Sequence, residues 1–247
     1  MVPLTQADSA SQIIQAAAAE FPGSLAVLTS FQREGIVIID LVMKAAPGTP
    51  VLTIDTGRLP GATNVIIAQV ESRYGITVER ILPDPVEVAA MVESRGFNLF
   101  RDSVAQRMLC CNVRKVRPLA RRMAGVSAYF TGLRREQSES RADVEVFNHS
   151  GTTVKISPLA DWTTADVAQY TLEHDLPEHP LYAAGYTSIG CDPCTRAVTP
   201  GEEERAGRWW WETDADKECG LHFSADGRAE RTVDVLLREL LEKVHTA

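Results

Sequence analysis

The chain has 247 residues, 45% of them hydrophobic and 23% charged, which is enough to bury a substantial core in one large domain or two small ones. A formal net charge of −8 argues against a protein whose main business is coating nucleic acid, while leaving room for a local basic pocket. No apolar run approaches the length of a membrane span, and Met1–Glu20 carries neither Lys nor Arg nor an uninterrupted apolar stretch, so a cytoplasmic protein without signal peptide or anchor is expected.

Strands rich in Val, Ile, Thr and Leu are expected over Ser24–Ser30, Pro50–Ile54, Thr77–Leu82, Ser127–Thr131 and Thr153–Ile156. Between them helical patterns cover about Gly35–Lys44, Gly61–Tyr74, Pro85–Glu93 and Asn112–Ala124. The first of these is apolar nearly all round, from Ile36 to Val42, and is expected to be buried. Gly75 stands where a helix C-cap belongs, and Thr163-Thr164-Ala165-Asp166 has the form of a capping box opening a further helix. Strand–helix alternation of this kind predicts an α/β fold, a parallel-type sheet flanked by helices. The stretch from about Leu176 to Phe223 is rich in Gly, Pro, Cys and charge and reads as irregular structure. Beyond it Val233, Leu236, Leu237, Leu240, Leu241 and Val244 keep helical spacing, predicting an amphipathic C-terminal helix. No linker interrupts the chain. It is taken as one domain, with a nucleotide-binding core over 24–175, a cysteine segment over 176–223 and an extension over 224–247.

In parallel α/β sheets ligands bind beyond the carboxyl ends of the strands. Two polar segments fall there: Ser30–Gly35 after the first strand and Asp55-Thr56-Gly57-Arg58 after the second. Each presents backbone N–H groups to a phosphate, although short polar loops with Gly are common in such folds.

The five cysteines are more informative. Cys110-Cys111 and Cys191-Asp192-Pro193-Cys194 form two tight pairs, and Cys219 stands alone, the division expected of a metal centre plus one reactive thiol. The C-x-x-C alone fits a redox pair, half a zinc site or half an iron–sulfur site. A redox pair normally opens a helix directly after a strand, whereas here Ile189-Gly190 precedes and Pro200-Gly201 soon follows. Two adjacent cysteines fit one tetrahedral ion poorly, while the irons of a cluster take one each, so a Cys₄-ligated [4Fe–4S] cluster is the best physical fit. Lys115, one turn beyond Cys111, offers a cation beside such a centre.

Cys219 lies in Glu218-Cys219-Gly220-Leu221-His222, where Gly gives the backbone freedom and His222 bears on thiol ionisation; it is the candidate nucleophile. Arg134, Arg135 and Arg141 follow the strand ending at Thr131, and Arg205 and Arg208 lie between the two cysteine segments, all suited to sulfate or phosphate. The run Trp209-Trp210-Trp211 reads as packing.

These stretches resemble the assimilatory adenylyl-sulfate (APS) reductases, the iron–sulfur branch of the APS/PAPS reductase family. The resemblance rests on Cys110–Lys115, Gly132–Ser138, Ser188–Arg196, Gly207–Glu212 and Lys217–His222, in the expected order from about Ser24 to His222. It implies an adenine nucleotide α-hydrolase-like fold, a [4Fe–4S] cluster on Cys110, Cys111, Cys191 and Cys194, and Cys219 as nucleophile. It further implies Lys115, Arg141, Arg205 and Arg208 as contacts to the phosphosulfate of APS, with Ser30, Asp55, Thr56, Gly57 and Gly132 about the adenosine and His222 close to the site. A thioredoxin- or glutaredoxin-type dithiol is the implied reductant, and a homo-oligomer is expected.

Two departures are visible. Ser30–Gly35 lacks the Ser-Gly-Gly-x-Asp-Ser form of ATP-pyrophosphatase relatives, in keeping with a protein that does not cleave ATP. The chain also continues past Cys-Gly-Leu-His into 224–247, for which subunit contact or control of Cys219 is the expectation. A PAPS-specific reductase generally lacks the cluster cysteines, and a zinc-binding interaction module is the rival from another class.

Overall fold

The structure is a computed structural model, described here over residues 6–138, 141–149 and 153–212. Cys219, His222 and the expected C-terminal helix lie outside the described residues. The chain divides into two compact units.

The first unit comprises the described residues up to Thr53 together with Pro60–Arg80 and Gly125–Gly185. Its strands are β1 (Leu25–Leu28), β2 (Val51–Ile54), β3 (Glu79–Ile81), β4 (Ala128–Phe130), β5 (Phe147–Asn148) and β6 (Val154–Ile156), the last residues of β2 and β3 crossing into the second unit. They form one sheet in the order β3-β2-β1-β4-β6-β5. β1 is parallel to β2 (Val27 opposite Val51) and to β4 (Val27 opposite Phe130), β4 is parallel to β6, and β5 runs antiparallel at the edge. The fold is the helix-flanked, mainly parallel α/β sheet expected from the strand–helix alternation.

Helices α1 (Gln6–Glu20), α2 (Arg33–Ala45) and α3 (Gly61–Tyr74) belong to this unit. Ile36 through Val42 of α2 are all buried, because α2 packs against α1 as well as against a C-terminal helix of the same unit, Thr164–Glu173. One residue in that run is charged. Burial alone would raise the pKa of Asp40, but hydrogen bonds from Lys44 (2.6 Å), Tyr170 (2.7 Å) and Tyr74 (2.9 Å) outweigh it and hold the carboxyl below its ordinary value. Gly75 ends α3 in the left-handed conformation (φ 63°) that a C-cap requires. The capping box at Thr163 forms as expected, with Thr163 Oγ1 accepting from Asp166 N–H and Asp166 accepting from Thr163 N–H.

α1 has no counterpart among the elements expected from sequence. Its buried Ala10, Ile14 and Ala17 keep helical spacing, but small side chains give a faint apolar stripe. β5, two residues long, was not expected either.

His179, 1% exposed, follows the last helix of this unit. Its Nδ1 accepts from Leu181 N–H (3.2 Å), so Nε2 carries the proton and donates to Thr63 Oγ1 (3.1 Å). Burial pushes the imidazole below its ordinary pKa. The folded protein therefore resists protonation while the unfolded chain takes up a proton near pH 6.5, and stability is full above that value and falls as pH drops through it. We expect a component of the loss in unfolding temperature between pH 7.5 and pH 5.5 to disappear in His179→Asn; identical pH slopes in both proteins would refute this.

The second unit comprises Ile54–Leu59, Ile81–Ala124 and the described residues from Tyr186 onward. It contains α4 (Pro85–Arg95), α5 (Val104–Cys111) and α6 (Arg117–Met123); α7 is the helix Thr164–Glu173 of the first unit, already described. The single helix expected over Asn112–Ala124 is in fact α5 and α6 joined by a π-helical turn, Asn112–Val116. It starts earlier than expected because Ser103 caps it, its hydroxyl accepting from Gln106 N–H (3.2 Å). A small core of Met91, Leu99, Phe100, Val113 and Trp209 forms around Cys110, Cys191 and Cys194. No described helix is long and apolar enough to cross a membrane.

Candidate active site and metal centre

The second unit gathers the cysteine pairs. Cys110 and Cys111 close α5, and Cys191 and Cys194 bracket a 3₁₀ turn in which Cys194 N–H donates to Cys191 O (2.9 Å). All four are free thiols and all four line one small cavity of about 20 Å³. Arg58, Arg107, Arg114, Lys115 and Arg208 line the same cavity, an excess of positive charge around the four cysteines.

Local bonding explains the convergence. After β2, Asp55 Oδ1 accepts from Gly57 N–H (3.0 Å), and Gly57 takes a left-handed φ of 70°. Thr56, 1% exposed, accepts from Arg58 N–H (3.2 Å), and its hydroxyl lies 3.2 Å from Cys191 Sγ. Arg58 O accepts from Asp192 N–H (2.8 Å), binding this loop to the C-x-x-C turn. Arg114 in the π turn donates to Thr56 O (2.9 Å), so the same loop also holds the segment after Cys111. On the other side Trp209 N–H donates to Cys194 O (3.1 Å), and Arg107 on α5 forms a buried ion pair with Glu212 (2.6 Å). A Cβ on Gly190 would stand 2.4 Å from the Arg208 guanidinium, so only glycine leaves that cation its place.

Burial pushes the Cys110 thiol up and the Cys194 thiol up to about 12, which leaves them uncharged and inert as bare thiols. Metal ligation deprotonates such groups outright, and the surrounding cations favour the resulting negative charge. A single tetrahedral ion would draw its sulfurs to about 3.8 Å from one another. Among the described residues no three His, Cys, Asp or Glu groups are arranged to hold one ion. A polynuclear iron centre takes one thiolate per iron, and four cysteine sulfurs lining one cavity are the donor set such a cluster uses.

The residues singled out in the sequence separate between the units. Asp55, Thr56, Gly57, Lys115, Arg205, Arg208 and the four paired cysteines belong to the second, where the cavity brings the cysteines, Lys115 and Arg208 together. Arg205 stands just before, its carbonyl accepting from Arg208 N–H (3.0 Å), and is not among the cavity's lining residues. Ser30, Gly132 and Arg141 belong to the first unit: Ser30 Oγ accepts from Gln32 (2.9 Å) and Arg141 donates to Gln137 (2.5 Å). Arg134 and Arg135, read as possible anion ligands, are engaged internally, with Glu34 and with Asp161. Arg58, Arg107 and Arg114 were missed as site residues; the signal available was their placement one to three residues from an expected ligand or loop glycine.

The family model for the phosphoadenosine phosphosulfate reductase domain matches residues 24–197. An adenosine 5'-phosphosulfate reductase from Allochromatium vinosum is 45% identical over 201 residues, which cover 81% of this chain and 78% of the relative. Another, from Agrobacterium fabrum, is 40% identical over 241 residues, covering 93% of this chain and 92% of that one. Among solved structures, a phosphoadenylyl-sulfate reductase from Candida auris in complex with phosphate superposes with a TM-score of 0.65 at 29% identity, covering 77% of this chain and 90% of that one. Yeast FAD synthetase in complex with FAD, at 13% identity and a TM-score of 0.54 over 80% of this chain and 70% of its own, shares the fold alone.

Proposed function

Because this chain belongs to the phosphoadenosine phosphosulfate reductase family, among relatives that are adenosine 5'-phosphosulfate reductases, we propose that it reduces APS to sulfite and AMP in sulfate assimilation, in the cytoplasm. The observation that carries this reading is the four-cysteine, cation-rich cavity, in a chain whose fifth cysteine is separate in sequence from the two pairs.

Cys110, Cys111, Cys191 and Cys194 would hold a [4Fe–4S] cluster. When bound, the cluster supplies a structural cross-link and a fixed charge; the electrons come from elsewhere. Ser30, Asp55, Thr56, Gly57 and Gly132 are assigned to the adenosine, and Lys115, Arg141, Arg205 and Arg208 to the phosphosulfate. The Cys219 thiolate attacks the sulfur of APS, the sulfur–oxygen bond to the phosphate breaks, and AMP leaves with the electron pair, its charge offset by Lys and Arg. His222 is assigned to the surroundings of Cys219. A thiolate of a thioredoxin- or glutaredoxin-type dithiol then attacks Cys219 Sγ and sulfite departs with the bonding pair. The second thiol of that partner resolves the mixed disulfide, so the dithiol is oxidised by two electrons and the sulfur of APS reduced by two. A homo-oligomer completes the proposal.

Intact mass of anaerobically purified protein exposed to APS, without any dithiol, tests the reaction. A sulfonate adduct is expected; an adduct from PAPS alone would keep the chemistry and reverse the substrate, and none from either would end the reading. The metal assignment is tested separately. The protein should contain iron and labile sulfide that Cys194→Ser loses, whereas a colourless protein holding zinc would contradict it.

A further inference from the structure

Arg134 is 2% exposed and sits two residues beyond Gly132 in the loop after β4. Its Nε and Nη2 both donate to Glu34 Oε1 (3.1 and 2.8 Å), on the first turn of α2. Nη1 donates to Trp162 O (3.1 Å), and Nη2 reaches Thr164 Oγ1 (3.4 Å) at the start of α7. Glu136, 3.5 Å from Nη1, accepts from Thr164 N–H (2.8 Å) and so belongs to the same knot. Gly132 lies directly on Glu34: a Cβ there would stand 2.7 Å from Glu34 Cβ and 3.2 Å from its carbonyl oxygen.

Sheet topology gives this knot its meaning. The chain leaves β1 towards β2 and β3 on one side, then returns to place β4 on the other side of β1. The carboxyl ends of β1 and β4 therefore flank the topological switch point, where open parallel sheets take their ligands. Glu34 belongs to the segment after β1 and Arg134 to the segment after β4, so one ion pair, its Arg buried and its Glu half-buried, spans the two walls of that crevice.

We propose that the Arg134–Glu34 pair is a positioning device that sets the spacing of the β1 and β4 loops for the nucleotide, without touching it. This rests on the reading of the chain as an APS reductase. A buried ion pair contributes little net stability compared with apolar side chains of similar volume, but the planar guanidinium fork fixes direction and distance as apolar packing does not. Here the fork joins a helix N-terminus, a strand-end loop and the start of a second helix.

The test is equilibrium binding of AMP to the cluster-loaded protein, with KM and kcat for APS measured beside it. In the double variant Arg134→Met/Glu34→Leu, which removes both charges and keeps the volume, AMP should bind about 10- to 100-fold more weakly. KM should rise in parallel, while kcat at saturation stays within about twofold and the unfolding temperature stays near that of the parent. A double variant with intact unfolding temperature and parental AMP affinity would show the pair to be structural and overturn the proposal. Should it fail to fold, Arg134→Lys, which keeps the charge but not the fork, takes its place, and parental affinity there overturns the proposal equally. A parent protein that binds neither AMP nor APS would instead remove the reductase reading, and the proposal with it.

Discussion

Replacing Cys219 by Ser should abolish the sulfonate adduct and reduce turnover of APS by more than about a thousandfold. A serine hydroxyl is almost wholly protonated at neutral pH and has no base assigned to activate it, whereas a thiol is partly ionised and intrinsically more nucleophilic. Binding should survive: AMP affinity and iron content are expected to match those of the parent, because the four cysteines proposed to hold the cluster are untouched. That combination separates a lost nucleophile from a damaged site. An adduct persisting in Cys219→Ser would transfer the role to another residue and sink the assignment.

The second large effect concerns Arg107. Its guanidinium forms an ion pair with Glu212 in which both side chains are at most 5% exposed, and it lies 4.2 Å from the Trp209 ring. Glu212 Oε2 already lacks a hydrogen-bond partner. In Arg107→Met the carboxylate would be stranded in the interior, a change that typically costs about 3–5 kcal/mol. The expected fall in unfolding temperature for a chain of this size is roughly 6–20 °C. Removing both charges in Arg107→Met/Glu212→Leu should recover most of it, since a buried pair and its apolar replacement differ far less than a pair and its half. A single variant that melts within about 2 °C of the parent would show that Glu212 finds another partner or takes up a proton at little cost.

What was legible in the sequence follows from how local its causes are. α3 was read from Gly61 to Tyr74 with both ends correct, because Pro60 precedes it and Gly75 carries the left-handed cap. The five expected strands are all present, each one or two residues shorter at one or both ends, where Ser, Thr, Val, Pro and Leu flank the strand. α5 is signalled only by Ser103-Val104-Ala105-Gln106, which has the form of a capping signal, because its C-terminal end consists of the two cysteines. The π turn has no sequence signature at all. The grouping of four cysteines came from spacing alone, and the cavity they line agrees with that grouping. The arginines were harder. Arg134 and Arg107 look like any other arginine until the fold supplies Glu34 and Glu212, partners 100 and 105 residues away. Long-range pairing of this sort is invisible to periodicity.

The second unit is assembled from three separate stretches of chain: the loop after β2, the run from Ile81 to Ala124, and the residues from Tyr186. Synthesis delivers these in order, with most of the first unit threaded between them. Cys110 and Cys111 leave the ribosome long before Cys191, Cys194 and the Glu212 that braces α5. Under the proposed cluster assignment, a nascent chain offers two of the four thiols while the other two do not yet exist. The cavity that gathers all four also needs Arg208 and Trp209, so the timing of iron delivery, and not merely its supply, would bear on the yield of loaded protein.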